Sequence, residues 1–333
     1  GWRVTAQNYN LNRDYVKADA PEMQAMLRLE NAWDPIASID LHVTDGAKFQ
    51  HDVAVQVEPV HAGDAALREA GRAFRDAVIA ELRKRGSDPL PFYPSFVKDD
   101  DPASGIADGV SPPRFSTGYF QLRNRFGMLV ETHSWKDYPT RVRITHDTVL
   151  SVVRQVAEHG AEWRRIEQEA DERARALGGQ EVALDYKATK EAKTIDFRGY
   201  AYTRTISDVS GAVMTRYDES RPQVWHIPLF ADVQPSVTAI APKAGYIVPA
   251  EEASIVEPLL QVHGIEYRRI AEPLSRPFQA YRAETATTEG KSTEGHQRLG
   301  LAGSWRTEAS SLAAGALYVP IAQPRARLVM QLL

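Results

Sequence analysis

The chain has 333 residues, of which 43% are apolar and 25% are charged, with a formal net charge of -4 at pH 7. This length allows two domains, and the weakly acidic balance provides no basic field to recruit nucleic acid or an anionic membrane. The absence of cysteine excludes disulfides, a cysteine nucleophile and a thiolate zinc site. No apolar run approaches the roughly 18 residues of a membrane-spanning helix.

The first half of the chain alternates between predicted helices and predicted strands. Asp19 and Pro21 mark a helix start, because Asp is a favoured cap and Pro is favoured in the first turn. We expect helices over about 21–34, 64–84 and 145–177, buried strands over 36–42 and 125–131, and a long proline-rich loop over 87–118. This alternation predicts an α/β fold.

The character of the sequence changes after residue 179. Short segments broken by Gly, Pro and Asp predict strands, and residues 249–262 predict one helix. The small polar stretch 285–295 predicts a mobile loop, and the apolar run 328–333 predicts a strand. We therefore expect a catalytic domain over 1–179 and a smaller α+β accessory domain over 180–333.

Three constellations of residues could carry chemistry. The guanidinium of Arg13 can bind a carboxylate through two hydrogen bonds, and the amide of Asn12 can bind the same anion. His42 ends a predicted strand, where open α/β sheets place their ligands, and neutral imidazole is a common zinc ligand. Glu131 ends an apolar strand, and burial raises the pKa of a carboxyl toward the range of a general base.

Each constellation also has a structural explanation when it is taken alone. An Arg beside Asp14 is usually a surface ion pair, and a strand-end His is usually bonded to a nearby loop. A strand-end Glu is often paired with an Arg, here Arg123 or Arg125.

Taken in chain order, these residues resemble the M14 family of zinc carboxypeptidases over residues 1–177. The resemblance implies a mixed-sheet zinc carboxypeptidase-like domain, incomplete at its N-terminus. It implies that Asn12 and Arg13 bind the terminal carboxylate of a peptide substrate, that His42 is a zinc ligand, and that Glu131 is the general base. The family also stabilises an oxyanion with Arg and covers the substrate with a mobile Tyr. Arg125 or Arg123 is the candidate for the first role, and Tyr119 or Tyr93 for the second.

The chain departs from the family in its zinc ligands. The family takes two ligands from a His-x-x-Glu motif that precedes the Asn-Arg pair, and no such motif precedes Asn12. Two matches occur later, at 159–162 inside a predicted helix and at 263–266 across a helix end, where Gly264 is a typical cap. We therefore expect an incomplete zinc site in a fragment that is inactive alone, with the missing ligands on an N-terminal segment or a cleaved chain.

The leading functional prediction is a zinc metallopeptidase that removes the C-terminal residue of peptides. One alternative is a zinc deacylase of N-acyl amino acids, whose carboxylate the same Asn-Arg pair could hold. Another is a non-catalytic carboxylate-binding pseudoenzyme. Three short segments in the second half contain isolated aromatic or polar residues, and we interpret them as packing or loop residues. They are 225–226, 294–296 and 305–306. The resemblance also implies a secreted or periplasmic location.

Overall fold

The computed structural model describes residues 2–333 and shows a mixed α/β fold. Its helices are α1 (Pro21–Trp33), α2 (Ala65–Lys84), α3 (Ser116–Leu122), α4 (Tyr138–Arg175), α5 (Ala253–Val262) and α6 (Ala326–Leu332). Its strands are β1 (Ala37–Val43), β2 (Val53–Glu58), β3 (Pro89–Leu90), β4 (Ile106–Ala107), β5 (Phe126–Thr132), β6 (Glu181–Ala188), β7 (Lys193–Ile206), β8 (Val213–Phe230), β9 (Val233–Ile240), β10 (Gly245–Val248), β11 (Arg268–Arg269), β12 (Leu274–Thr293), β13 (His296–Leu312) and β14 (Leu317–Pro320).

These elements form two compact units that interleave along the chain. A central unit comprises Pro35–Arg173 and Glu181–Ala239. A terminal unit comprises the described residues up to Asp34, together with Ala174–Gln180 and Ile240–Leu333. One passage between the units lies near the predicted division at 179/180, but the terminal unit also takes in α1. Whether 1–179 and 180–333 behave as separate domains stays a prediction.

The central unit is built on a four-stranded mixed sheet in the order β1-β5-β2-β3. β1 and β5 run parallel, whereas β2 is antiparallel to β5. Because side chains alternate between the two faces of a strand, residues 127, 129 and 131 of β5 share one face, and Met128 and Val130 share the other. The two faces have different neighbours, which separates a packing face from a polar face.

The packing face is covered by α2 and α4. Phe74 of α2, Phe126 of β5 and Trp163 of α4 pack in tilted and edge-to-face arrangements at ring-centroid distances of 4.7–5.9 Å, inside a cluster that also contains Met128 and Val130. Asp64 caps α2 by accepting a hydrogen bond from the N–H of Ala66 at 3.0 Å. The bounds of α2 agree with the helix expected over about 64–84.

The opposite face is covered in two places. The hairpin β7–β8 brings Phe197 and Trp225 into a second apolar cluster with Ala54 of β2. α3, whose residues are all buried, lies against β5. A Cβ added to Gly127 would approach the Thr117 Cα at 3.0 Å, so α3 covers the face that carries Glu131.

The terminal unit holds α1, α5, α6, the sheet β10-β14-β11 and the two-stranded ribbon β12–β13. The amide of Asn31 in α1 donates to the carbonyl of Val262 in α5 at 2.8 Å, which joins the two helices. His263 is fully buried, with its Nε2 3.0 Å from the Val16 carbonyl, and Gly264 after it has φ 61°. The 263–266 match is therefore a helix end, as expected.

Several expectations about single elements were wrong. Residues 285–295 form the end of a hairpin whose turn is Glu294–Gly295, and 328–333 fall mostly within helix α6. Thr has high β-propensity, and a short apolar run does not distinguish a strand from a buried helix. Asp19 does not cap α1, because Ala20 occupies the cap position. β1 is an edge strand of its sheet with half-buried and exposed residues, rather than a buried strand.

Candidate active site

His42 and Glu131 lie side by side at the ends of two adjacent strands. β1 and β5 are parallel, and their register pairs His42 with Glu131, so the two side chains project from the same face of the sheet. Glu131 is 7% exposed, and the side chain of His42 is 22% exposed. The sequence separates the pair by 89 positions, and strand pairing brings them together at the carboxyl ends of parallel strands, where α/β sheets typically place ligands.

The His42 ring is oriented by a carboxylate on its own strand. Asp40 Oδ1 lies 2.7 Å from His42 Nε2, and Asp40 Oδ2 accepts a hydrogen bond from the Ser116 hydroxyl at 2.8 Å. A carboxylate on one ring nitrogen fixes the tautomer with the proton on that nitrogen, and makes the other nitrogen the electron-pair donor. This pattern is the one expected of a metal-ligating or proton-accepting imidazole. Ser116 was missed by sequence reasoning, because it lies 76 positions from Asp40 in the chain.

The strand ends that carry His42 and Glu131 are tied together by backbone and side-chain bonds. The N–H of Thr44 donates to the Thr132 carbonyl at 2.9 Å, and the Thr132 hydroxyl donates to the His42 carbonyl at 3.2 Å. These bonds hold β1 and β5 in register up to their last residues. Both functional side chains are therefore positioned by the sheet rather than by a loop.

His133 fixes the chain just beyond Glu131. Its ring is 1% exposed and stacks on Phe49 at 3.9 Å with an interplanar angle of 7°. Nε2 accepts from the N–H of Phe49 at 3.2 Å, which leaves Nδ1 to donate to the Thr44 hydroxyl at 3.0 Å. Burial lowers the pKa of His133 to about 4, so the ring is neutral at pH 7. His133 is a structural histidine that anchors the strand end.

Arg125 is not placed where a substrate-binding role at Glu131 needs it, and Tyr119 is buried. Arg125 precedes the first residue of β5, about 20 Å along the strand from Glu131 at roughly 3.3 Å per residue. Its guanidinium donates to both carboxylate oxygens of Asp171 in α4, at 3.3 and 3.0 Å. Tyr119 is 0% exposed within α3 and so is not a mobile cover in this structure.

Two further candidates from the sequence are Arg123 and Tyr93. The guanidinium of Arg123 lies over the ring of Tyr119, with 5.8 Å between the guanidinium carbon and the ring centroid, and Arg123 itself is buried. Tyr93 lies in the loop that connects β3 to β4, where it is half-buried.

Asn12 and Arg13 lie in the terminal unit, within a 3-10 turn over Leu11–Arg13. One guanidinium nitrogen, Nη1, donates to the Asn12 carbonyl at 2.7 Å, and Nε lies 3.5 Å from the Glu294 carboxylate. The side chain of Arg13 is 24% exposed. An accessible guanidinium that already contacts one carboxylate has the chemistry to bind another.

Asp14 fixes the segment that follows Arg13. It is 1% exposed and accepts from the N–H groups of Asp19 and Ala20 at 3.1 and 2.8 Å. Burial raises the pKa of Asp14, although these two backbone bonds oppose the effect. Arg13 contacts Glu294, whereas Asp14 contacts Lys17 at 3.7 Å.

A second polar cluster in the central unit was missed by sequence reasoning. His61 Nδ1 lies 2.8 Å from Glu58 Oε1, and His61 Nε2 lies 3.5 Å from Asp108 Oδ2. Burial alone would lower the pKa of His61, but the hydrogen bond and charge of Glu58 outweigh it and the pKa is raised. Glu58 is fully buried and also accepts from three backbone N–H groups, at Val60, His61 and Ala62. Its bonding is that of a structural cluster holding the start of the loop before α2.

The donor set of the described residues does not fit a zinc ion by itself. A catalytic zinc site takes three protein ligands, and His42 supplies one imidazole. Across residues 2–333 no group of three or more His, Asp or Glu side chains is arranged to hold a metal ion. The 159–162 match does not add ligands at this place, because His159 lies on α4, stacked on Trp163 of the packing face.

Comparison with models of protein families, with curated proteins and with solved structures finds no match for this chain. Among the helices of residues 2–333, none is both long enough and apolar enough to cross a lipid bilayer.

Proposed function

We propose that this chain is the carboxylate-binding and proton-transferring part of a zinc carboxypeptidase-like hydrolase that cleaves a C-terminal residue from peptides. The observation that carries the proposal is the pairing of His42 with Glu131 on adjacent parallel strands, with Asp40 on the His42 ring. A buried carboxylate beside an oriented imidazole supplies a base and an electron-pair donor at one place. The predicted order of Asn12, Arg13, His42 and Glu131 along the chain supports the same function.

The proposed chemistry assigns one task to each group of residues. Glu131 takes a proton from the water that attacks the scissile carbonyl carbon, and passes that proton to the leaving amine as the C–N bond breaks. Asn12 and Arg13 bind the terminal carboxylate of the substrate and so position the last peptide bond. Asp40 and Ser116 hold the His42 ring in one orientation.

The zinc ion of this proposal needs ligands beyond the described residues. His42 offers one ligand, and Glu131 is assigned to proton transfer, so two protein ligands have to come from another chain or from a further segment of a longer protein. We accordingly propose that residues 2–333 are inactive alone. In this proposal the enzyme acts outside the cytoplasm.

The experiment that tests the proposal compares a peptide having a free C-terminal carboxylate with the same peptide as its amide. The full-length protein loaded with zinc should cleave the free acid in preference to the amide. Arg13→Ala should weaken binding of the free-acid peptide by about 1.5–3 kcal/mol, the range for a hydrogen bond to a charged group. Binding of the amide should not change. Arg28→Ala is the matched control, because Arg28 is an exposed Arg on α1 of the same unit. Equal losses for both peptides in the Arg13 variant would refute the role.

The lack of a three-ligand group among the described residues favours a second candidate, a non-catalytic carboxylate-binding protein. That protein would bind the free-acid peptide through Arg13 and would show no turnover with any added metal. A zinc deacylase of N-acyl amino acids would share the whole site with the peptidase. A panel that sets peptides against N-acyl amino acids of the same side chain separates the two hydrolases.

A further inference from the structure

The tip of the β12–β13 ribbon lies on the segment that carries Arg13. Glu294 and Gly295 form the turn, with φ values of 54° and 85°, and the strands pair up to Thr293 and His296. Two consecutive positive φ values are the mark of the tight hairpin turn that matches the twist of the strands, and Gly is favoured there. The turn therefore presents the Glu294 side chain at a defined place rather than on a flexible loop.

Three polar contacts join this tip to residues 13–19. Glu294 Oε1 lies 3.5 Å from Arg13 Nε, and the Glu294 carbonyl accepts from Lys17 Nζ at 3.3 Å. His296 Nε2 lies 2.6 Å from Asp19 Oδ2. All of these residues belong to the terminal unit. Lys17 also contacts Asp19 at 3.3 Å, so the tip is placed within a group of alternating charges.

The Arg13 side of these contacts is held in place independently of the ribbon. Asp14 is buried and bonded to the backbone N–H groups of Asp19 and Ala20, so the turn that carries Arg13 is closed by its own residues. Removal of the Glu294 carboxylate should therefore leave the Arg13 backbone in place. The side chains of Arg13 and Glu294 are 24% and 22% exposed, so a carboxylate from solvent can reach Arg13.

We propose that Glu294 acts as an internal competitor for the carboxylate site, and that a substrate carboxylate binds Arg13 only by displacing it. This inference rests on the proposed role of Arg13 in binding a carboxylate. A guanidinium presents its donors in one plane, and two carboxylates that share it repel each other. Glu294 would thus set the affinity of the site and would limit binding to ligands that carry a full negative charge.

The test measures the binding of N-acetylalanine and of N-acetylalaninamide to the full chain by calorimetric titration at low ionic strength. Glu294→Gln removes the competing charge and keeps the size of the side chain. It should therefore increase the affinity for N-acetylalanine by about two- to fivefold, the range for an exposed ion pair. Binding of the amide should not change. Glu289→Gln is the matched control, because Glu289 lies on the same ribbon and contacts Arg298 instead of Arg13.

Hydrogen exchange of the ribbon tip gives a second readout that does not depend on activity. Saturation with N-acetylalanine should speed the exchange of residues 292–297 in the original protein, because the ligand releases the tip. In Glu294→Gln the same ligand should change the exchange of the tip less, because there is no carboxylate to displace from Arg13.

The results separate this inference from the proposed function. If Arg13→Ala abolishes binding of N-acetylalanine while Glu294→Gln binds it no more tightly than the original protein, the competitor role is overturned and the carboxylate site stands. If Arg13→Ala binds N-acetylalanine as well as the original protein does, both proposals are overturned. Tighter binding of N-acetylalanine by Glu294→Gln, together with loss of binding in Arg13→Ala, supports both proposals.

Discussion

Acid should destabilise this protein through His133, whose ring must stay neutral to keep its two hydrogen bonds. The pKa of His133 falls from 6.5 to about 4 on burial. Because the folded-state pKa is the lower one, the unfolded chain binds more protons between these values. The stabilisation is fully present above pH 6.5 and is lost as the pH falls toward 4. This pKa difference corresponds to about 3 kcal/mol of folding stability, at about 1.36 kcal/mol for each pKa unit.

His133→Gln isolates this contribution from the other titrating groups. The Gln carbonyl can accept from the N–H of Phe49 and its amide can donate to Thr44, so the bonds are kept without a titrating ring. Chemical denaturation followed by tryptophan fluorescence would be compared between about pH 7 and about pH 4.5. Over this range the free energy of unfolding of the original protein should fall by about 2–3 kcal/mol more than that of the variant. Equal losses would show that His133 is not held neutral by burial, and would refute the assigned anchoring bonds.

Two further predictions concern the surroundings of His42 and Glu131. Asp40→Asn should move the proton of the His42 ring from Nε2 to Nδ1, because the new amide can donate to Nε2. The ¹⁵N chemical shifts of the ring report the tautomer. An unchanged spectrum would show that Asp40 does not orient the ring. Gly118→Ala should cost about 1–3 kcal/mol and shift α3, because its Cβ would approach the Ser111 carbonyl oxygen at 2.1 Å. Gly109→Ala, where nothing lies within 4 Å of the new Cβ, should cost clearly less in the same thermal denaturation assay.

The strands that carry the site could be predicted from sequence, but their pairing could not. Each of the segments 36–42 and 125–131 is a short apolar run that ends in a polar residue, and both are strands in the structure. That they are parallel neighbours, and that His42 faces Glu131, depends on contacts between residues about 90 positions apart. An apolar run does not distinguish a central strand from an edge strand. The exposure of β1 was therefore missed.

The side chains that surround the site were less accessible to sequence reasoning. Arg125 was a candidate for the oxyanion-stabilising Arg that the resemblance implies, yet the length of β5 separates it from Glu131. Ser116 reaches Asp40 across 76 positions, and Glu294 reaches Arg13 across a still larger separation. Gly295 was a local signal for the turn of the ribbon, since Gly is favoured where a tight hairpin turn needs a positive φ.

The most direct measurement of the central claim is the turnover of a free-acid peptide by Glu131→Gln in the full-length, zinc-loaded protein. The variant keeps the size of the side chain and removes the base, so turnover should fall by about 10²–10⁴-fold while peptide binding and zinc content stay the same. Glu158→Gln, at an exposed position on α4, should behave as the original protein. Turnover by Glu131→Gln at the original rate, with equal zinc content, would contradict the assignment of Glu131 as the base.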